Sequence, residues 1–245
     1  MTEFLPVSSS GNLVVAEAAI GFSRPGVLVE VVLHVATLVA VVLVYWRTLL
    51  RLARGVLGGD RDAWRYVLLL AVATVPAGIA GVWFKDFFER LFESLFVVGI
   101  DFLITGTILW STRNKLDGTA EPKTGQALSI GVAQAFAIFP GISRSGSTIS
   151  VALWMGIDPV RAAEFSFLMA IPAIAGAAVL QIPELSTDVT AIGSGPLLLG
   201  FICALVSGVA AIRLLIVLLQ RRGFHRFAPY CWALGLLTIG WALVR

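Results

Sequence analysis

Residues 139–148 read Phe139-Pro140-Gly141-Ile142-Ser143-Arg144-Ser145-Gly146-Ser147-Thr148, in the middle of an otherwise apolar stretch at 127–157. Proline removes a backbone donor, glycine loosens the chain, and hydroxyls flank an arginine. Hydrocarbon cannot satisfy the freed backbone groups, so such backbone is tolerated only where protein buries it or it lines a wet cavity. The stretch therefore reads as a re-entrant hairpin and not as a span. A second apolar stretch, 4–22, has the same character, broken by Pro6 and Ser8-Ser9-Ser10-Gly11.

The rest of the chain sets the context. Of 245 residues, 58% are apolar and 13% charged, and the mean hydropathy is +0.91, which excludes a soluble globular domain. At about 20 residues per crossing, the length holds one membrane domain and leaves no room for a soluble one. Six stretches are predicted to span: 27–46, 66–84, 95–112, 165–183, 197–219 and 227–244. The charge of +3, from 18 Lys and Arg against 15 Asp and Glu, reports loop orientation in such a chain, and nucleic-acid binding is discarded. Cys203 and Cys231 both lie in apolar runs and read as packing residues.

The two broken stretches also resemble each other, Phe4-Leu5-Pro6-Val7-Ser8-Ser9-Ser10-Gly11 aligning with Phe139 to Gly146 with one residue of slack after the proline. Each precedes three spans. An odd number of crossings per half inverts the second half relative to the first, the plan in which broken helices meet near the bilayer midplane. The predicted fold is thus an all-α polytopic membrane protein, a single domain over 1–245. It comprises two inverted repeats, about 1–112 and about 127–245, each a re-entrant helical hairpin followed by three transmembrane helices.

Loop charges agree. The connections at 47–65 (Arg47, Arg51, Arg54, Arg61, Arg65), 113–126 (Arg113, Lys115, Lys123) and 220–226 (Arg221, Arg222, Arg226) are basic, which places them inside. Those at 85–94, with Lys85 and Arg90, and at 184–196, with no Lys or Arg, belong outside. Both termini then lie outside.

Arg144 in a Ser/Gly turn at membrane depth points to an anion site, because a guanidinium there is costly unless paired or wet. Its fork matches phosphate oxygens, and Ser143, Ser145, Gly146, Ser147 and Thr148 complete the cradle. The opposing reading is a surface loop with a solvated arginine and helix-capping serines. The first break offers Glu3 beside Ser8, Ser9, Ser10 and Asn12. If the breaks converge, a carboxylate faces an arginine. A carboxylate beside phosphate is best used to hold Mg²⁺ or Ca²⁺, which suits phosphoryl transfer. Against this, Glu3 is a frayed carboxylate and the serines cap a helix starting near Asn12.

Thr2 to Gly11, Pro140 to Thr148, and Phe165-Ser166-Phe167-Leu168-Met169-Ala170-Ile171-Pro172-Ala173 together resemble the undecaprenyl-diphosphate phosphatase family of the bacitracin-resistance type, over essentially the whole chain. The resemblance implies cation-dependent hydrolysis of undecaprenyl diphosphate to the monophosphate and inorganic phosphate. It places this reaction on the outer face of the bacterial cytoplasmic membrane, recycling the carrier for cell-wall synthesis. Bacitracin would compete indirectly by binding the substrate, and a homodimer is a candidate assembly. On this reading Arg144, Ser143, Ser145 and Thr148 hold the diphosphate and Glu3 binds the metal. The attack comes from metal-activated water or from Ser8, Ser9 or Ser10, with Ser9 preferred.

Two departures from the family pattern stand out. Another acidic residue is expected four positions before Glu3; either the true start lies upstream or the site is short of a carboxylate. The family has histidine where this chain has Asn12, and asparagine cannot take up a proton near neutral pH. His34, four residues after Glu30, is a candidate substitute. Asp101 and Arg213 are predicted to pair across the halves, His225 to be solvated, and Trp46, Trp83, Trp110 and Tyr230 to anchor at the interfaces. A transporter or flippase for a polyprenyl phosphate is the competing class, since it shares the inverted-repeat plan.

Overall fold

The computed structural model describes residues 2–21, 27–181 and 194–244. Residues 184–193 of the connection placed outside, and the side chain of Glu30, lie outside the described residues. Ten α-helices are seen among the described residues: α1 Ser9–Ile20, α2 Val27–Leu57, α3 Arg61–Trp83, α4 Lys85–Phe92, α5 Leu95–Ser111, α6 Thr124–Phe136, α7 Arg144–Trp154, α8 Pro159–Gln181, α9 Ser194–Gln220 and α10 Ala228–Val244. The only strand-like feature there is an isolated bridge between Ala120 and Ile157.

Local chemistry sets the helix ends. Ser8, Ser94 and Ser143 cap α1, α5 and α7 by accepting the N–H groups of Gly11, Val97 and Gly146, and Asp60 caps α3. Such oxygens satisfy amides that a helix start leaves unpaired. The expected loop at 47–65 is mostly helix: α2 runs on to Leu57 and α3 starts at Arg61, so only residues 58–60 form the turn. Arg47, Arg51 and Arg54 extend α2 because arginine is a good helix former whose long stem reaches water from the helix surface. The predicted connection at 85–94 contains the short amphipathic helix α4.

Among the described residues, five segments are long and apolar enough to cross a membrane: Val31–Leu57, Arg61–Trp83, Leu95–Asn114, Gly195–Gln220 and Phe224–Val244. Leu198, Leu199, Val206, Leu236 and Leu237 face outward in them, an apolar surface that suits lipid and not water. The sixth predicted span falls in α8, which is not among the five. It carries Arg161 and Glu164 near its start and buries Phe165, Phe167, Leu168, Met169 and Ala170 in the protein core. α1, α6 and α7, at 12, 13 and 11 residues, are too short to cross at about 1.5 Å per residue.

The spans frame these short helices. α5 packs along α10, α2 along α9 and α3 along α6, while α7 lies between α6 and α8. Of the short helices, α7 is the one buried along most of its length.

Candidate active site

The first break starts as a run of turns over residues 2–6. Ser8 then adopts φ 58°, ψ 103°, a conformation few residues other than glycine accept. Its Oγ accepts the Gly11 N–H at 3.2 Å. Asn12 Nδ2 donates to the carbonyls of Val7 and Ser8, both at 2.7 Å, and Asn12 Oδ1 accepts from Tyr230 Oη at 2.6 Å.

In the second break the chain leaves α6 and turns at Gly141, φ 108°. It re-enters a helix at Arg144, where Ser143 Oγ accepts the Gly146 N–H at 3.1 Å. Thr105, on α5, donates to the Gly141 carbonyl at 3.0 Å and accepts the Ser143 N–H at 3.1 Å.

The breaks meet. A Cβ on Gly11 would lie 2.8 Å from Gly141 Cα, and one on Gly141 would lie 2.6 Å from the Val98 carbonyl oxygen, so these glycines permit the approach. Ser145 Oγ donates to the Leu5 carbonyl at 3.3 Å. Arg144 Nη2 lies 3.7 Å from Glu3 Oε1, both side chains being mostly buried. That separation exceeds a hydrogen bond, and Nη1 and Nη2 of Arg144 are buried with no hydrogen-bond acceptor. A desolvated guanidinium with unfilled donors at a helix N-terminus is built to receive an anion.

The predicted site residues divide by what occupies them. Ser143 Oγ caps α7 and lies 3.4 Å from Ser145 Oγ, and the Gly146 N–H is spent on that cap. Thr148 donates to the Arg144 carbonyl at 2.7 Å and meets Ser166 at 2.6 Å. These groups shape the turn. Ser147 Oγ is buried without a partner and remains available to a ligand. In the first break Ser8 Oγ caps α1 and lies 3.4 Å from Ser10 Oγ, whereas Ser9 Oγ only accepts from Thr2 Oγ1 at 3.3 Å. Ser9 stands at the position equivalent to Arg144, first in its helix.

Two predicted details fail. Asp101 does not pair with Arg213: α5 turns Asp101 inward, where its Cβ lies against Gly141 and its Oδ2 has no hydrogen-bond partner, while Arg213 is exposed on α9. His225 is only partly solvated: the residue is half-buried, its ring stands edge-on to Trp110 with centroids 5.9 Å apart, and its Nδ1 is enclosed. Helix α1 also begins three residues before Asn12. Thr105 and Tyr230 were missed as site residues, because no local pattern marks a partner 36 or 218 residues away.

A divalent cation would find hard oxygen donors here: the Glu3 carboxylate with the Ser9 and Ser10 hydroxyls nearby in sequence. Among the described residues no cluster of three or more His, Cys, Asp or Glu forms a closed cage. A Mg²⁺ or Ca²⁺ held by Glu3 would have to take most of its shell from water and ligand oxygens.

Residues 1–237 match the family described as Bacitracin resistance protein BacA. A protein of Syntrophotalea carbinolica named undecaprenyl-diphosphatase is 45% identical over 244 residues, covering 96% of this chain and 92% of its own. One of Desulfatibacillum aliphaticivorans with the same name is 40% identical over 258 residues, covering 96% and 92%. A third, of Methanothermobacter thermautotrophicus, is 47% identical over 182 residues, covering 72% of this chain and all of its own.

Proposed function

Because the chain belongs to the Bacitracin resistance protein BacA family, we propose that it hydrolyses undecaprenyl diphosphate to undecaprenyl phosphate and inorganic phosphate. The observation that carries this reading is Arg144, whose two terminal nitrogens are buried without acceptors 3.7 Å from Glu3. A terminal phosphate seated there would receive the guanidinium fork and the field of the α7 N-terminus, the interactions that stabilise charge in phosphoryl transfer. Ser147 Oγ would add a donor. Ser9 is the preferred nucleophile, since its Oγ takes no part in capping, is met only by the Thr2 hydroxyl, and stands at the helix position equivalent to Arg144. Its attack on the terminal phosphorus breaks the bond to the bridging oxygen, and undecaprenyl phosphate leaves. Water then releases inorganic phosphate from Ser9. The hydroxyl proton would pass to the Glu3 carboxylate, the acidic side chain of the first break. A divalent cation held by Glu3 supplies further charge neutralisation when bound.

In this reading the halves are inverted repeats, each break re-enters the membrane without crossing it, and the site opens to the outer face of the cytoplasmic membrane. Bacitracin would act by sequestering the lipid diphosphate, and a second copy of the chain is the candidate partner. Transport without hydrolysis is not adopted, because the relatives are named for a diphosphatase. The test is release of inorganic phosphate from undecaprenyl diphosphate by the purified protein with Mg²⁺ or Ca²⁺, against an Arg144→Ala control. Substrate binding without release, unchanged across both cations, would sink hydrolysis and restore the transporter reading.

A further inference from the structure

We infer that the last spanning helix of each half braces the break of the other half, with Thr105 and Tyr230 as positioning residues. Thr105 belongs to the first half and is 1% exposed. Its hydroxyl ties Gly141 O to Ser143 N across Ile142, one residue before Arg144. Both backbone groups are buried, so without the hydroxyl each becomes an unpaired polar group in a dry turn, which the turn would shift to relieve.

Tyr230 belongs to the second half and does the reciprocal. Both amide hydrogens of Asn12 point at the Val7 and Ser8 carbonyls, so Oδ1 must accept, and the Tyr230 hydroxyl donates to it. The two carbonyls fix which way the amide faces, since a flipped Asn12 would set Oδ1 against them, and the tyrosine anchors the Oδ1 end to α10. Held this way, Asn12 stabilises the positive φ of Ser8 and with it the placement of Ser9. Cys231, the next residue, lies 3.7 Å from the Pro6 carbonyl.

The two braces are one unit. A Cβ on Gly99 would lie 3.0 Å from the Gly235 carbonyl oxygen, and one on Gly235 would lie 2.7 Å from that of Gly99, so α5 and α10 touch backbone to backbone. Each break is mounted on this pair from the opposite half. Asn12 then acts by hydrogen bonding alone, a task asparagine can do where proton transfer is closed to it.

The inference rests on the proposed hydrolysis for its catalytic part, and its test separates the two. Hydrogen exchange of peptides spanning 137–147 and 4–13 is measured in the full-length protein, together with phosphate release. Thr105→Val keeps the side-chain shape and is expected to speed exchange in 137–147 by about tenfold, leaving 4–13 unchanged. It should lower kcat by about 10- to 100-fold with KM altered less than about threefold, as misplacement of a reacting group does. Thr105→Ser should restore both. Tyr230→Phe, at a residue 47% exposed and so tolerant of change, is expected to speed exchange in 4–13 and lower kcat by about 5- to 10-fold.

Unchanged exchange in both valine and phenylalanine variants would overturn the brace. Faster exchange with kcat intact would overturn the positioning role. If the unaltered protein releases no phosphate, the hydrolase reading falls while exchange still decides the brace. Should Thr105→Val fail to fold, Tyr230→Phe decides it alone.

Discussion

Ser8 and Ser143 do the same work in their two breaks: each accepts the N–H three residues on, from Gly11 and Gly146, and each lies 3.4 Å from the serine two residues on. The surroundings differ. Ser143, Ser145, Ser147 and Thr148 are all buried, whereas Ser9, Ser10 and Asn12 are half-buried. The first helical residue is Ser9 in one break and Arg144 in the other. One backbone device thus serves two settings: a dry turn presents a guanidinium whose attraction for phosphate low dielectric strengthens, and a wetter turn presents a carboxylate and a hydroxyl that no cap uses.

If the breaks divide the chemistry in this way, substitutions in them should fail differently. Arg144→Ala is expected to give the largest effect, a fall in phosphate release of about 10³-fold, because it removes the group that meets developing charge. A loss below about tenfold would make the second break merely structural. Ser9→Ala should lower kcat by at least about 100-fold, with Ser10→Ala within about threefold, since a nucleophile is not replaced by its neighbour. Equal losses at both would break the equivalence of Ser9 with Arg144. Glu3→Gln should raise the cation concentration for half-maximal release by about 10-fold. An unshifted cation curve would remove Glu3 as a ligand.

The smallest effect compares the caps themselves by thermal unfolding. Ser143→Gly loses a cap at an ordinary φ of −79° and should lower Tm by about 2–4 °C. Ser8→Gly loses its cap but relieves φ 58°, so its Tm should stay within about 1 °C. A large drop at Ser8 would mean that its conformation is not strained.

Much of this was legible in sequence because it is local. Proline, glycine and hydroxyls within nine residues announce a break, whereas capping serines entered only as the opposing reading, with the first helix expected near Asn12 and found from Ser9. The end of α5 was placed within one residue, since apolar runs with capped ends leave little latitude. The faces of the helices were not legible. Asp101 faces inward and Arg213 outward, yet their neighbours along the chain are uniformly apolar, because a helix that meets lipid on one side and protein on the other is hydrophobic all round. The same holds for α8, whose apolar run reads as lipid-facing but is buried over residues 165–170.

The order of apolar and broken segments, and with it the membrane class and the two breaks, follows from residue chemistry within a few turns of chain. Which broken segment touches which, that Glu3 meets Arg144, and that Thr105 and Tyr230 hold turns in opposite halves were decided only by the packed structure. Those contacts join residues 36 to 218 positions apart, and specificity at that range comes from close backbone approach and hydrogen-bond geometry, which hydropathy along a single chain does not encode.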